Sequence, residues 1–575
     1  MLDVLLAGGT VVDGTGAPGR VADVGVRDGR VVTVCEPRAA GEPASRTVDV
    51  TGLVVAPGFV DLHTHYDAQL LWDASASPSP LHGVTTAFAG NCGFALAPMS
   101  EANLDYMSRL MARVEGIPLP ALQKGVPWGW STFGEYLARL EEGGVALNVG
   151  VLAGHSTLRR AVMGEAAVTD TADDATIAAL ERALHEALDA GALGFSTSQA
   201  PTHNDGDGNP VPSRAASTEE LLRLAACVHD HPGTQLECII AGCINGFSDD
   251  DVDLLAEMSR RAGRPLNWNV LGVTAGGNHE HQLAASTRAA ERGGRVVALT
   301  LPQGMRIRLS FLSGFVLDGL PGWRETLSLP VAERIRALSD PAVRAKLDSQ
   351  AHSPEAGVLG ALATWERMEC CETFTDATRE FEGRMVGDIA REQGKASFDA
   401  LLDIVVADEL RTGLRPVFGA ESDETWKQRA EVWRDPRAVV GGSDAGAHLD
   451  MMCGATYSSF LVGPAVREHG VVSLVEAVQM LTEVPARLYG LRERGRVQPG
   501  WYADLVVFDP DSVGPLPDRT VVDLPGGASR IVAGAAGIEH VIVNGVEIVA
   551  AGRYTGSTPG TVLRSGRDTD TVHAG

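Results

Sequence analysis

The run Val54–His65, VVAPGFVDLHTH, constrains this chain more than any other stretch. Val54-Val55 and Phe59-Val60 are β-prone, and Pro57-Gly58 interrupts them, so two short strands with a break between them are expected. Beyond Phe59, alternation places Asp61, His63 and His65 on one side of an extended strand, with Val60, Leu62 and Thr64 on the other. Two imidazoles at i and i+2 can converge on one cation. A His-x-His pair also suits an exposed strand edge, so other parts of the chain must supply further donors.

The 575 residues are 44% hydrophobic and 21% charged, enough for a large core, and a barrel of this length can form one unit. A formal charge of −26 argues against nucleic acid or an anionic membrane as the main partner and agrees with plain solubility. The opening MLDVLLAGGTVVDG lacks the basic start and long apolar stretch of a signal peptide. No run approaches the ~18 apolar residues of a membrane span. The eight cysteines fall singly or as Cys370-Cys371, with no C-x-x-C pair, which suits reduced thiols in the cytoplasm. The expectation is a cytoplasmic protein acting on a small molecule, with no nucleic-acid or membrane partner; a homo-oligomer is compatible with it.

Both ends of the chain read as strands and turns. Val21–Val26, Asp28-Gly29 and Val31–Val34 outline a hairpin, and Ala503–Phe508, His540–Val543 and Val546–Val549 echo it near the far end. Neither end is large enough to bury a core alone. A single β-sandwich built from residues 1–56 and 485–575 is therefore expected, with residues 57–484 inserted as a second domain. In that central part, strands at 59–63, 85–89, 147–153, 193–196, 235–240, 266–270, 295–299 and 439–442 alternate with helices. Capping-box starts stand at Thr132/Glu135 and Ser217/Glu220. The fold class expected is α/β, a (β/α)8 TIM-like barrel, with 96–130 and 303–437 as elaborations.

Functional groups of such a barrel gather at the C-terminal ends of its strands. Those ends carry His63 and His65, then Asn91 and Cys92, His155, Ser196–Gln199, Glu237 and Cys238, Asn267 and Asn269, and finally Ser443-Asp444. Each could equally satisfy a loop backbone group.

The stretches LLAGGTVVDGTG, VVAPGFVDLHTHYD, GVTTAFAGNCGFALAP, LAGHSTLRRAVMG, GALGFSTS, GGSDAG, VQMLTEVPARLYGL and RGRVQPGWYADLVVFDP span almost the whole length. In them the chain resembles the amidohydrolase superfamily, and within it the N-acyl-D-amino-acid deacylases (D-aminoacylases). The resemblance implies that His63 and His65 are metal ligands and that Cys92 is a thiolate ligand. It also implies that Asp444 binds metal and accepts a proton from the attacking water. The chain departs from that pattern where the family carries histidines on strands five and six: GTQLECIIAG and RPLNWNVLGV hold none. The family's aspartate-and-tyrosine pattern is likewise missing from strand seven.

Three readings of the metal follow. One divalent ion, zinc by the resemblance, sits on His63, His65, Asp444 and Cys92. Alternatively Glu237 replaces the lost imidazole, which favours a harder ion such as manganese or magnesium, or iron; or a loop histidine (His155, His203 or His448) supplies a ligand. Glu237 itself stands between metal ligation and an ion pair with an arginine such as Arg159. His155, Arg159, Gln199, His203 and Arg306 are the candidate substrate-binding residues, the arginines because a free carboxylate needs a cation. The expected activity is metal-dependent hydrolysis of an amide-type C–N bond, with Asp444 taking a proton from water and returning it to the leaving nitrogen. The alternatives are cyclic-amide ring opening or a lyase step on the same barrel, or a metal-free binding protein.

Overall fold

The computed structural model describes residues 1–575 except 275, 305, 315 and 418–420. The break at Pro57-Gly58 separates two sheets. Val54–Pro57 joins a nine-stranded sheet, parallel to Leu2–Val11 and antiparallel to Leu505–Phe508. Phe59–Asp61 starts a parallel sheet instead. Only glycine fits at the junction, because a Cβ on Gly58 would lie 2.1 Å from the Thr85 side chain.

The nine-stranded sheet takes five strands from the first 57 residues and four from 505–554. Its hairpin turns at Asp28-Gly29 and Asn544-Gly545 have positive φ at both residues, the geometry of the tight turns that match strand twist. Leu6, Val24, Val31, Val55, Leu505 and Val507 pack on one another from both chain ends. The rest of the C-terminal stretch goes elsewhere. Residues 514–536 form two small hairpins, and Val562 bridges Val149 while Leu563 N–H bonds Val149 O.

Eight parallel strands are present among the described residues: Phe59–Asp61, Val84–Ala89, Asn148–Val151 with its continuation Ala153–Gly154, Gly194–Ser198, Gln235–Ile239, Leu266–Leu271, Val296–Thr300 and Ala438–Val440. They form a three-stranded and a six-stranded sheet, with one piece of the third strand in each. Beyond the first and eighth strands Thr64 bridges Ala445, and His65 N–H bonds Ala445 O at 2.7 Å. Val60, Leu62, Phe88, Leu152, Leu193, Leu299 and Val439 pack between the strands with Tyr489 and Leu563. Helices flank them, and no helix among the described residues is long and apolar enough to cross a membrane.

The two elaborations behave differently. Residues 303–437 carry a separate apolar cluster around Trp323, Trp365, Phe398 and Leu401. The 96–130 segment instead packs Leu104–Val114 and Leu119–Gly125 into the main core. The Thr132/Glu135 capping box forms in full. At the other, Ser217 caps the Glu220 N–H but the Glu220 carboxylate is engaged elsewhere.

Candidate metal and catalytic site

His63 and His65 stand where the first strand gives way to the Thr64–Ala445 bridge, and both are buried. Their rings lie 5.2 Å apart and nearly edge-on. Cys92 reaches them from the tight turn after the second strand. Asn91 Nδ2 ties that turn to Thr64 O and Phe88 O, and Gly93 N–H bonds Ser196 Oγ. Gly90 is indispensable there: its φ is +77°, and a Cβ would lie 2.2 Å from Leu152 O. Cys92 Sγ is 3.4 Å from His63 Nε2. One ligand atom each from His63, His65 and Cys92 lies within 4.8 Å of the other two, so these three converge as expected.

Asp444 approaches from beyond the eighth strand. Its N–H bonds His63 O at 3.0 Å, and its Oδ1 lies 3.0 Å from His65 Nε2 and 3.8 Å from His63 Nε2. Cys92 and Asp444 both hold positive φ, 54° and 60°. Such values cost a non-glycine residue free energy and recur where a side chain is aimed for function. Ser443 Oγ donates to the buried Asp61 at 2.5 Å and steadies the loop.

Glu237 points inward from the fifth strand. Its Oε2 accepts from Cys92 N at 2.8 Å, and its Oε1 lies 3.9 Å from His63 Nδ1. The sequence pattern did not single out Glu115, a second buried carboxylate, which lies 3.3 Å from His65 Nδ1. No motif covers it, because it belongs to the 96–130 elaboration.

Burial and the His65 charge push His63 down to about 3. Burial acts the same way on His65, but Glu115 and then Asp444 outweigh it and raise it to about 10. Burial opposes the Asp444 charge, yet the adjoining His65 holds its carboxyl below the usual range. Burial lifts Glu237 and Glu115 each to about 8, and lifts the Cys92 thiol well above normal, with Glu237 adding to it. A pocket with this many buried acids and too few cations lacks a positive charge. His63 Nδ1, His65 Nδ1 and Asp67 Oδ1 are also buried without hydrogen-bond partners. Two imidazoles, a thiol and flanking carboxylates suit a borderline-soft divalent ion such as zinc, so the residues fit a metal.

Glu237→Gln keeps an oxygen for the Cys92 N–H but removes the charge. Its metal affinity is expected to fall at least about tenfold, as losses near metal ligands do. Measured by chelator competition, an unchanged affinity would leave Glu237 only a support for the Cys92 turn.

A cavity of about 340 Å³ opens beside this cluster, and Asp444, Asn269, Arg306, Leu301, Met452 and Leu516 are among its walls. Asp444 is thus shared by the donor cluster and the cavity. Arg306 is exposed on the wall. His203 lies close enough to His448 and His65 to feel their charges, and its Nδ1 meets Ser198 Oγ at 2.8 Å.

The other three substrate-binding candidates are corrected. Arg159 is fully buried; its guanidinium grips Glu220 and the carbonyls of Ala167 and Asp170. Arg159 therefore does not pair with Glu237. His155 is buried between Thr197 Oγ1 and the same Glu220. Breaking such a buried pair costs about 3–5 kcal/mol, so this is a structural cluster. Gln199 donates to Ser213 O and does not line the cavity.

The amidohydrolase family profile matches residues 46–549. D-aminoacylase of Alcaligenes xylosoxydans xylosoxydans is 31% identical over 573 residues, covering 98% of this chain and 97% of that one. N-acyl-D-aspartate deacylase of the same organism is 30% identical over 568 residues, covering 98% and 95%. Among solved structures, D-aminoacylase superposes with a TM-score of 0.65 at 28% identity, covering 98% of this chain and all of that one. N-acyl-D-glutamate deacylase from Bordetella bronchiseptica, solved with zinc and a phosphonate mimic of the tetrahedral intermediate, does so with 0.65 at 26% identity and the same coverage.

Proposed function

Because the chain belongs to the amidohydrolase family, we propose that it is a metal-dependent deacylase that hydrolyses N-acyl-D-amino acids to a carboxylic acid and a free D-amino acid. The observation that carries this is the convergence of His63, His65 and Cys92 on one point, with Asp444 between that point and the cavity. We read the eight parallel strands as a closed (β/α)8 barrel. The Thr64–Ala445 bridge and the third strand's two pieces support this reading. The nine-stranded sheet is read as the body of a β-domain made from residues 1–56 and part of 485–575; an experimental structure with the first and eighth strands apart would overturn the closed barrel.

His63, His65 and Cys92 would hold one divalent ion, zinc by their chemistry, with Asp444 and Glu237 as oxygen donors on its flank. Such an ion supplies Lewis acidity, which acidifies water and polarises a carbonyl. Asp444 accepts the proton of the attacking water, since its carboxylate stands 3.0 Å from His65 Nε2 and also lines the cavity. Water oxygen bonds to the acyl carbon, and the C–N bond breaks as Asp444 returns the proton to the leaving nitrogen. Arg306 on the cavity wall binds the substrate carboxylate. Glu237 keeps the Cys92 turn aimed at the two imidazoles.

The full-length relatives are named as deacylases, which does not favour ring opening or a lyase step; the convergent donors argue against a metal-free binder. The experiment is a panel of N-acyl-D-amino acids, their L-enantiomers and their D-carboxamides, assayed before and after chelator treatment. Hydrolysis of the D-acids alone, lost with the metal and restored by zinc, is expected. Equal turnover of acids and carboxamides would remove Arg306 from its role, and chelator-resistant turnover would sink the metal mechanism.

A further inference from the structure

Glu115 follows the helix Leu104–Val114, within an elaboration that the minimal strand–helix repeat does not need. It is 2% exposed, and burying a carboxylate this fully is costly without a partner. Its Oε2 lies 3.3 Å from His65 Nδ1, while Nε2 on the opposite edge of that ring faces Asp444 Oδ1 at 3.0 Å. Backbone contacts hold it there. The His448 N–H donates to Glu115 O, and at Gly116, with φ +60°, a Cβ would lie 3.0 Å from His448 Cα. The loop after the eighth strand and the end of the helix therefore fix each other, with His65 between Glu115 and Asp444. Among the described residues, the ligand atoms that converge are those of His63, His65 and Cys92, so Glu115 stands behind the ring.

We propose that Glu115 is a positioning residue: its carboxylate, 3.3 Å from a His65 Nδ1 that makes no hydrogen bond in this structure, accepts the Nδ1 proton once that ring ligates and thereby presents its bare Nε2 to the metal. A carboxylate behind a ligating imidazole fixes its tautomer and orientation and makes the ligating nitrogen more basic. The inference rests on the metal reading of the site. It also brings an inserted segment into the chemistry, although all the ligands proposed above lie on or just beyond the barrel strands.

The test is zinc affinity by chelator competition, together with the visible spectrum of the cobalt-substituted protein. Glu115→Gln keeps the shape and removes the charge. It is expected to weaken zinc binding about 10–100-fold and to alter the cobalt spectrum, while the melting temperature of the metal-free protein does not fall. In a His65→Ala background the same substitution should add no further loss, because Glu115 acts through that ring. Should the glutamine variant not fold, Glu115→Asp, which withdraws the charge by one methylene, carries the same comparison. Zinc affinity within twofold of the parent, or an equal loss with and without His65, overturns the role of Glu115. A parent that binds no zinc overturns the metal reading and this proposal together.

Discussion

Asp444→Asn is expected to lower kcat by about 10²–10⁴-fold, the span general acid–base groups contribute, while most of the bound metal stays. Asparagine is the right substitution because the residue holds φ 60°, which asparagine tolerates better than alanine. The N–H bond to His63 O can then persist. The variant also leaves His63, His65 and Cys92 in place to hold an ion. What it removes is the carboxylate 3.0 Å from His65 Nε2, and with it the proton transfer from water to nitrogen proposed above. Steady-state kinetics and elemental analysis on the same preparation check this. Turnover within tenfold of the parent at full metal content would take the proton-transfer role away from Asp444.

The second large effect is on metal retention. Cys92→Ser conserves size, and serine accepts the same hydrogen-bonded turn, so the fold should persist. It exchanges a soft ligand for a hydroxyl that binds zinc poorly. The zinc affinity should fall by more than the roughly 100-fold that a supporting residue costs. The thiolate-to-metal charge-transfer band of the cobalt-substituted parent should vanish as well. A variant that keeps both the affinity and the band would show that Cys92 is a packing residue beside the imidazoles.

These two residues were legible in the sequence because each follows a strand closely. Cys92 and Asp444 sit three and four residues beyond the strands Val84–Ala89 and Ala438–Val440, and a strand end leaves little freedom in where such a side chain lies. Pro57-Gly58 was legible for a similar local reason, although what it separates is two sheets. Arg159, a substrate-binding candidate by sequence, lies on the helix His155–Met163, whose turn carries the guanidinium inward to Glu220. That contact also explains the incomplete capping box at Ser217, since one carboxylate cannot serve both partners. Glu115 had no local signal at all. Its position depends on how a helix outside the strand–helix repeat packs against residue 448, which only the folded chain determines.

Val54–Pro57 lies between two strands made at very different times. Leu2–Val11, on one side, precedes it on the ribosome, whereas Leu505–Phe508, on the other, emerges only after the entire parallel-strand region has been synthesised. At about 5–20 residues per second that interval is some tens of seconds. Throughout it an apolar edge, Val54-Val55-Ala56, lacks its second neighbour, and Leu563 is absent from the cluster between the parallel strands. An unpaired edge of that kind is open to other chains. Aggregation during synthesis, more than instability of the finished fold, is thus the hazard this chain order carries, and slower growth or a lower temperature during production acts on that interval directly.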